Sequence, residues 1–196
     1  MAIVNNRAVF VDKDDTVNFD KPFYNYNPDL IKIIPGASEG LSMLREKGYK
    51  VVLVTNQSGV ARGYFEEKDL APLFEKLQYL LNFRFDGIYY CPHYIGGSVN
   101  DFAVACECRK PEIGLLLKAA KELSFDLNSS WMVGDRTSDM EAGKRAGCNT
   151  VMIDRNCEYT AFPLADYICR NMKEAAEIIV SSLEDNKHEK EAKGNH

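Results

Sequence analysis

AVFVDKDDT, residues 8–16, sets four apolar residues in front of three acids, Asp12, Asp14 and Asp15. An unbroken apolar run of this kind fits a strand buried on both faces of a parallel sheet. Gathering carboxylates at its end is costly, since two of them about 4 Å apart repel by roughly 4 kcal/mol at an effective dielectric near 20. The stretch therefore asks for a cation at the carboxyl end of the strand.

Outward from it, short β-rich runs recur: KVVLVTN (50–56), GIYYC (87–91), SWMVGD (130–135), TVMID (150–154) and DYIC (166–169). Helical patterns fall between them at Ala37 to Lys47, Glu66 to Asn82, Pro111 to Leu123, Ser138 to Ala146 and Met172 to Leu183. This alternation predicts an α/β fold, a doubly wound Rossmann-like parallel sheet flanked by helices. No Pro/Gly/Ser linker divides the chain, so a single domain is expected over 1–183. The segment EDNKHEKEAKGNH (184–196) has lost its apolar period and reads as a disordered charged tail, with His188 and His196 in solvent.

The 196 residues are 45% hydrophobic, enough for one good core, and carry a net charge of −5, which argues against a nucleic-acid partner. No apolar run is long enough for a membrane span, and MAIVNNRAVF lacks the basic start of a signal peptide. A cytoplasmic location is expected. In a reducing compartment the six cysteines read as thiols or metal ligands.

Ligands bind beyond the carboxyl ends of strands in open α/β sheets. That rule selects Asp12 and Asp14, then Thr55 and Asn56, then Asp135. Carboxylate oxygens suit a hard cation that leaves room for phosphate oxygens, which points to Mg²⁺. Asp at a strand end also caps turns and helices, and for Asp15 and Asp139 that alternative stands beside the functional one.

A second constellation is C-x-H at Cys91 and His93 followed by C-x-C at Cys106 and Cys108. Three thiolates and an imidazole form a structural Zn²⁺ set with no open coordination position. Such a site predicts a zinc-stabilised loop that fixes Arg109 and Lys110 nearby. Cys148, Cys157 and Cys169 show no ligand spacing.

DKDDT (12–16) resembles the first motif, DxDxT, of the haloacid dehalogenase superfamily of phosphatases. Thr55 in LVTNQSG matches the second motif, Lys110 in CRKP the third and GDRTSDMEAG (134–143) the acidic fourth, all in order between Val9 and Gly147. The resemblance implies Asp12 as nucleophile, forming an aspartyl-phosphate, and Asp14 as acid and then base. It implies Thr55, the backbone at Asn56 and Lys110 as phosphoryl ligands. Mg²⁺ would lie between the Asp12 side chain, the Asp14 carbonyl and Asp135, with Asp139 supporting. Many members have Gly where this chain has Asp15, a residue that tolerates positive φ less readily.

The intervals between motifs leave no room for a large cap domain. Substrate recognition then falls to loops at Asn18 to Asn27, Ser58 to Phe65 and the cysteine loop, where Tyr24, Tyr26 and Tyr64 read first as surface side chains packed on the loops and second as ligand contacts. Within the superfamily the chain resembles the zinc-containing histidinol-phosphate and heptose-bisphosphate phosphatases. TNQSGVARGYF (55–65), DGIYYCPH (86–93) and GSVNDFAVACECRKP (97–111) are closer to the heptose group. That likeness implies a sugar-phosphate substrate contacted by Asp20, Asn56, Gln57, Ser58, Arg109 and Arg136, the two arginines suiting a second phosphate. Histidinol-phosphate hydrolysis is the alternative activity, and a silent zinc-stabilised binding protein the alternative class. The acidic balance disfavours a polynucleotide phosphatase. A monomer is expected.

Overall fold

The computed structural model describes residues 6–20, 26–159 and 161–193, with side chains to Ser182. Among the described residues, six strands form one sheet: β1 (Ala8–Val11), β2 (Lys50–Asn56), β3 (Gly87–Cys91), β4 (Trp131–Gly134), β5 (Asn149–Ile153) and β6 (Tyr167–Cys169). Their order is β3-β2-β1-β4-β5-β6 and every pairing is parallel. Parallel neighbours require crossovers, and α1 (Ala37–Glu46), α2 (Leu70–Leu81), α3 (Gly114–Leu123) and α4 (Thr137–Ala146) supply those from β1 to β5, while among the described residues β5 reaches β6 without a helix. A last helix, α5 (Met172–Lys193), follows β6.

Side chains alternate across the pleat, and the core divides accordingly. Val9, Val11, Val51 and Leu53 face one side with Leu41 and Leu44 of α1, Leu73 and Leu77 of α2, and Met172 and Ile179 of α5. Ala8, Phe10, Val52, Val54 and Met132 face the other with Leu115, Leu116 and Ala119 of α3. Because β1 is apolar on both faces, it lies at the middle of the sheet. Each fully buried Leu or Met contributes about 1.5–3 kcal/mol of transfer free energy, which holds both helical layers to the strands.

The strand order reverses direction between β1 and β4. There Asp12 N donates to Val133 O at 2.9 Å, tying the first residue past β1 to its neighbour. Residues leaving β1, β2 and β4 thus emerge side by side, as the doubly wound reading requires. Among the described residues, the β1–β2 interval holds a loop, a short 3₁₀ turn (Pro28–Leu30) and α1, and no inserted domain.

One boundary differs from the sequence reading. The backbone of α5 is helical through Lys193, where a frayed tail was expected after Leu183. Glu, Lys and Ala, which dominate that segment, are strong helix formers, so loss of an apolar period does not end a helix.

α1 and α5 approach closely because α1 carries Gly40. A Cβ at this position would lie 2.3 Å from the carbonyl oxygen of Met172. Gly40→Ala should therefore lower stability by about 1–3 kcal/mol, the range for overpacking, despite the better helix propensity of Ala. Urea unfolding should show a lower midpoint with an unchanged m-value.

Candidate active site

Lys110 lies at the centre of the cluster past the strand ends. It is buried, and its Nζ meets Asp12 Oδ1 at 2.6 Å, Asp139 Oδ1 at 2.6 Å and the Val54 carbonyl at 2.8 Å. A buried ammonium without partners would cost several kcal/mol, and two carboxylates with a carbonyl satisfy its three protons. Burial alone would lower its pKa, but Asp12 and Asp139 outweigh that and raise it. The backbone on either side is braced by Asn56, whose amide donates to Lys110 O at 3.0 Å and accepts from Lys110 N at 3.1 Å. The Asn56 side chain is thereby engaged in structure, leaving its backbone for the cleft.

Three acids stand together. One carboxylate oxygen from each of Asp12, Asp135 and Asp139 lies within 4.8 Å of the others. Burial pushes Asp12 up to about 7, with Asp139 and Asp14 adding repulsion while Lys110 pulls against it. Burial and then the charges of Asp12 and Asp139 push Asp135 up to about 8. The buried Oδ1 of Asp135 has no hydrogen-bond partner among the described residues. Buried polar atoms are usually satisfied, so this oxygen and the acids beside it form a group that fits a cation.

Asp139 is fully buried in the first turn of α4. Its Oδ2 accepts from Arg136 N at 3.0 Å while Oδ1 holds Lys110. Both oxygens are committed, so it supports Lys110 and closes the helix start. Gly134 permits this, for a Cβ there would lie 2.4 Å from Asp139 Oδ2.

The chain after β1 turns tightly: Val17 N and Asn18 N both donate to Lys13 O, and Asp15 N donates to Asn18 O at 2.7 Å. Asp14 points from this turn, with Oδ1 held by Lys13 and by Asn18 Nδ2. Asp15 adopts φ 57°, the left-handed conformation for which Gly is the usual choice.

A cleft of roughly 770 Å³ opens over these groups. Asp12, Asp14, Asp20, Thr55, Gln57, Ser58, Arg109, Lys110 and Arg136 line it, so the predicted catalytic and substrate residues converge. Thr55 is buried and accepts from Gln57 Nε2 at 3.0 Å, which directs its own hydroxyl proton elsewhere. Arg136 is exposed and lies 3.7 Å from Asp20 Oδ2 and 3.9 Å from Asp135 Oδ2. It thus stands where it can meet substrate and also lies within ion-pair distance of two acids. Burial, with repulsion from Asp14, pushes Asp20 up to about 6.

Two cleft residues were missed from sequence. Tyr94 stands between the guanidinium of Arg62, 3.9 Å from its ring centroid, and that of Arg109 at 5.2 Å. Both arginines line the same cleft. Arg62 belongs to a loop already expected to touch substrate, but no sequence signal paired it with a ring in the cysteine loop. The tyrosines singled out instead lie elsewhere: Tyr26 stacks on Phe65 at 5.4 Å, Tyr64 is exposed, and neither lines this cleft. Tyr24 lies outside the described residues.

Beside the cleft, Cys91, His93, Cys106 and Cys108 meet. Cys91 Sγ lies 3.6 Å from Cys106 Sγ and 3.7 Å from His93 Nδ1, and Cys108 Sγ lies 3.4 Å from Cys106 Sγ and 3.3 Å from His93 Nδ1. Burial raises the Cys91 thiol strongly. The cluster is a four-ligand group able to hold a metal ion.

Comparison with known proteins agrees with this geometry. An HAD-hydrolase-like family model matches residues 107–183. The D-glycero-beta-D-manno-heptose-1,7-bisphosphate 7-phosphatase of Pasteurella multocida strain Pm70 is 47% identical over 151 residues, 75% of this chain and 81% of that protein. The protein of the same name from Photorhabdus laumondii is 40% identical over 181 residues, 91% of this chain and 92% of that one. Among solved structures, the D,D-heptose 1,7-bisphosphate phosphatase of B. bronchiseptica, complexed with magnesium and phosphate, superposes with a TM-score of 0.77 at 28% identity. The alignment covers 90% of this chain and 99% of that one. With four ordered motifs converging on one buried lysine and relatives similar along nearly the whole chain, this protein belongs to the haloacid dehalogenase-like phosphatase family.

Proposed function

We propose that the chain hydrolyses the 7-phosphate of D-glycero-D-manno-heptose 1,7-bisphosphate. The observation that carries the reading is the pairing of an intact nucleophile cluster with arginines across the same cleft. A monophosphate needs the cluster around Asp12 and Lys110. A second phosphate on the same sugar needs further positive charge at a distance, and Arg109 and Arg136, with Arg62 stacked on Tyr94, supply it. Relatives named for this substrate along most of the chain support the choice over histidinol phosphate.

The chemistry follows from the residues present. The Asp12 carboxylate attacks phosphorus, an O–P bond forms, and the bond to the sugar oxygen breaks. Asp14 gives that oxygen a proton, then takes one from the water that cleaves the aspartyl-phosphate. Thr55 O–H, the backbone at Asn56 and Lys110 stabilise charge on the phosphoryl oxygens. Lys110 also holds Asp12 in place, while Asp139 and the Val54 carbonyl keep the ammonium from leaving. The Asp12 and Asp135 carboxylates, with the Asp14 carbonyl, fit Mg²⁺, which would neutralise the gathered acids and polarise the phosphate.

The cysteine cluster fits Zn²⁺. Tetrahedral coordination with Zn–S about 2.3 Å and Zn–N about 2.0–2.1 Å demands edges of roughly 3.5–3.8 Å, close to the distances present. Its role is architectural, because four protein ligands leave no place for water or substrate. Cys108 precedes Arg109 and Lys110 directly, so a metal there would stiffen both the substrate arginine and the central lysine. We further take the chain to act as a monomer in the reducing cytoplasm.

A substrate panel tests the reading. Heptose 1,7-bisphosphate should lead fructose 1,6-bisphosphate and histidinol phosphate by tenfold or more in kcat/KM, about 1.4 kcal/mol of transition-state preference. Asp12→Asn should abolish turnover, and Arg109→Ala should raise KM for the bisphosphate while leaving monophosphates little changed. Histidinol phosphate in the lead would overturn the substrate assignment.

Mg²⁺ should show itself in stability. Asp12, Asp20 and Asp135 have folded pKa values raised above the usual carboxylate value, so the folded chain binds their protons more tightly than the unfolded one. That contribution is complete below about pH 4 and is lost as pH rises through about 6 to 8. The metal-free protein should lose Tm between about pH 5 and pH 8, and added Mg²⁺ should raise Tm more at the higher pH. For the cysteine cluster, elemental analysis should find one zinc per chain. Cys106→Ser should reduce that content, lower Tm and weaken turnover without altering the preferred substrate.

A further inference from the structure

The turn that carries Asp14 is anchored from outside by a residue with no part in the chemistry above. Asp15 adopts φ 57°, and its carboxylate is paired with the Arg155 guanidinium. Asp15 Oδ1 also faces the backbone N–H of Asp20 at 3.5 Å, across the turn. The same guanidinium lies over the ring of Phe19, 5.0 Å from its centroid. One side chain from past β5 therefore touches two points of the segment 15–20, which follows the acid Asp14 and ends at Asp20 in the cleft.

The base of Arg155 is itself fixed. Asp154, buried at the end of β5, donates from its backbone N to Cys169 O at 2.8 Å. Its carboxylate accepts from Asn156 N at 3.2 Å and from Tyr159 N at 2.8 Å, closing the 154–159 loop on itself. Arg155 thus projects from a bonded loop on the sheet edge. From the other side, Arg136 lies within ion-pair distance of Asp20. Two cations held by separate strand ends grip one acidic turn.

An acid at position 15 is otherwise hard to justify. Its conformation disfavours every residue except Gly, Asn and Asp, and it adds a carboxylate next to Asp12, Asp14, Asp20, Asp135 and Asp139. We infer that Asp15 and Arg155 form a positioning pair: the acid accepts the left-handed turn and Arg155, by neutralising and gripping it, holds Asp14 and Asp20 in register with Asp12. The inference rests on the phosphatase reading for the roles of Asp14 and Asp20, but the grip itself is a property of the loop.

Hydrogen exchange and kinetics on Asp15→Gly, Arg155→Gln, Arg155→Lys and the double variant Asp15→Gly/Arg155→Gln test it. Gly suits the backbone at position 15, and Arg155 is partly exposed, so all four should fold with Tm close to wild type. Amides between residues 14 and 20 should exchange several-fold faster in Asp15→Gly and Arg155→Gln, with those of β2 unchanged. kcat should fall about tenfold in each, Arg155→Lys should recover most of it, and the double variant should be no worse than either single change. Unchanged exchange in the turn would overturn the pair whatever the activity. Faster exchange with wild-type kcat, or additive losses in the double variant, would overturn the positioning role. A wild-type chain that hydrolyses no phosphomonoester would defeat the phosphatase reading instead, and the exchange data would still decide whether Arg155 grips the turn.

Discussion

One buried ammonium organises this molecule. Lys110 satisfies Asp12 at the end of β1, the carbonyl of Val54 in β2 and Asp139 at the start of α4. These three elements come from distant parts of the chain, and the charge that unites them would be untenable in the interior without all of its partners. The cluster of acids is tolerable only because this cation lies within it. Burial first, and then the neighbouring acids, raise Asp12 and Asp135, and a divalent ion would relieve that cost.

Around that centre, precision comes from braces rather than from the core. Asn56 bonds the Lys110 backbone on both sides, Gln57 orients Thr55, and Asn18 with Lys13 holds Asp14. The cysteine and histidine cluster, able to hold a metal ion, ends one residue before Arg109. Tyr94, from the same loop, lies between two arginines at the rim. The sheet brings strand ends together to within a few ångströms, and short polar contacts finish the alignment.

Much of this was legible along the chain. Apolar runs ending in Asp or Thr marked β1, β2 and β4, because a strand covered on both faces must be apolar throughout and can change character only where it leaves the sheet. The paired spacings at Cys91, His93, Cys106 and Cys108 marked four residues that the fold brings together into a group able to hold a metal ion, because metal chemistry restricts residue types so strongly. Less legible were features with no local signature. Loop position left Tyr26 and Tyr64 open to either loop packing or ligand contact, and Tyr26 packs on Phe65 while Tyr94, unmarked in the sequence, stands beside the arginines. The helical backbone beyond Leu183 follows from helix propensity, a property independent of any apolar face.

By itself the sequence determined the strands and helices and the end of the sheet at which Asp12, Asp14, Thr55 and Lys110 gather, since periodicity and strand-end chemistry are local properties. Only the tertiary structure decided which partner each of those groups would have. Asp139 turned out to hold Lys110 rather than merely cap α4, Asn56 to brace a backbone 54 residues away, and Asp15 to meet Arg155 across 140 residues. Such pairings depend on where the sheet order places separate strand ends, and nothing in the neighbouring sequence of either partner carries that information.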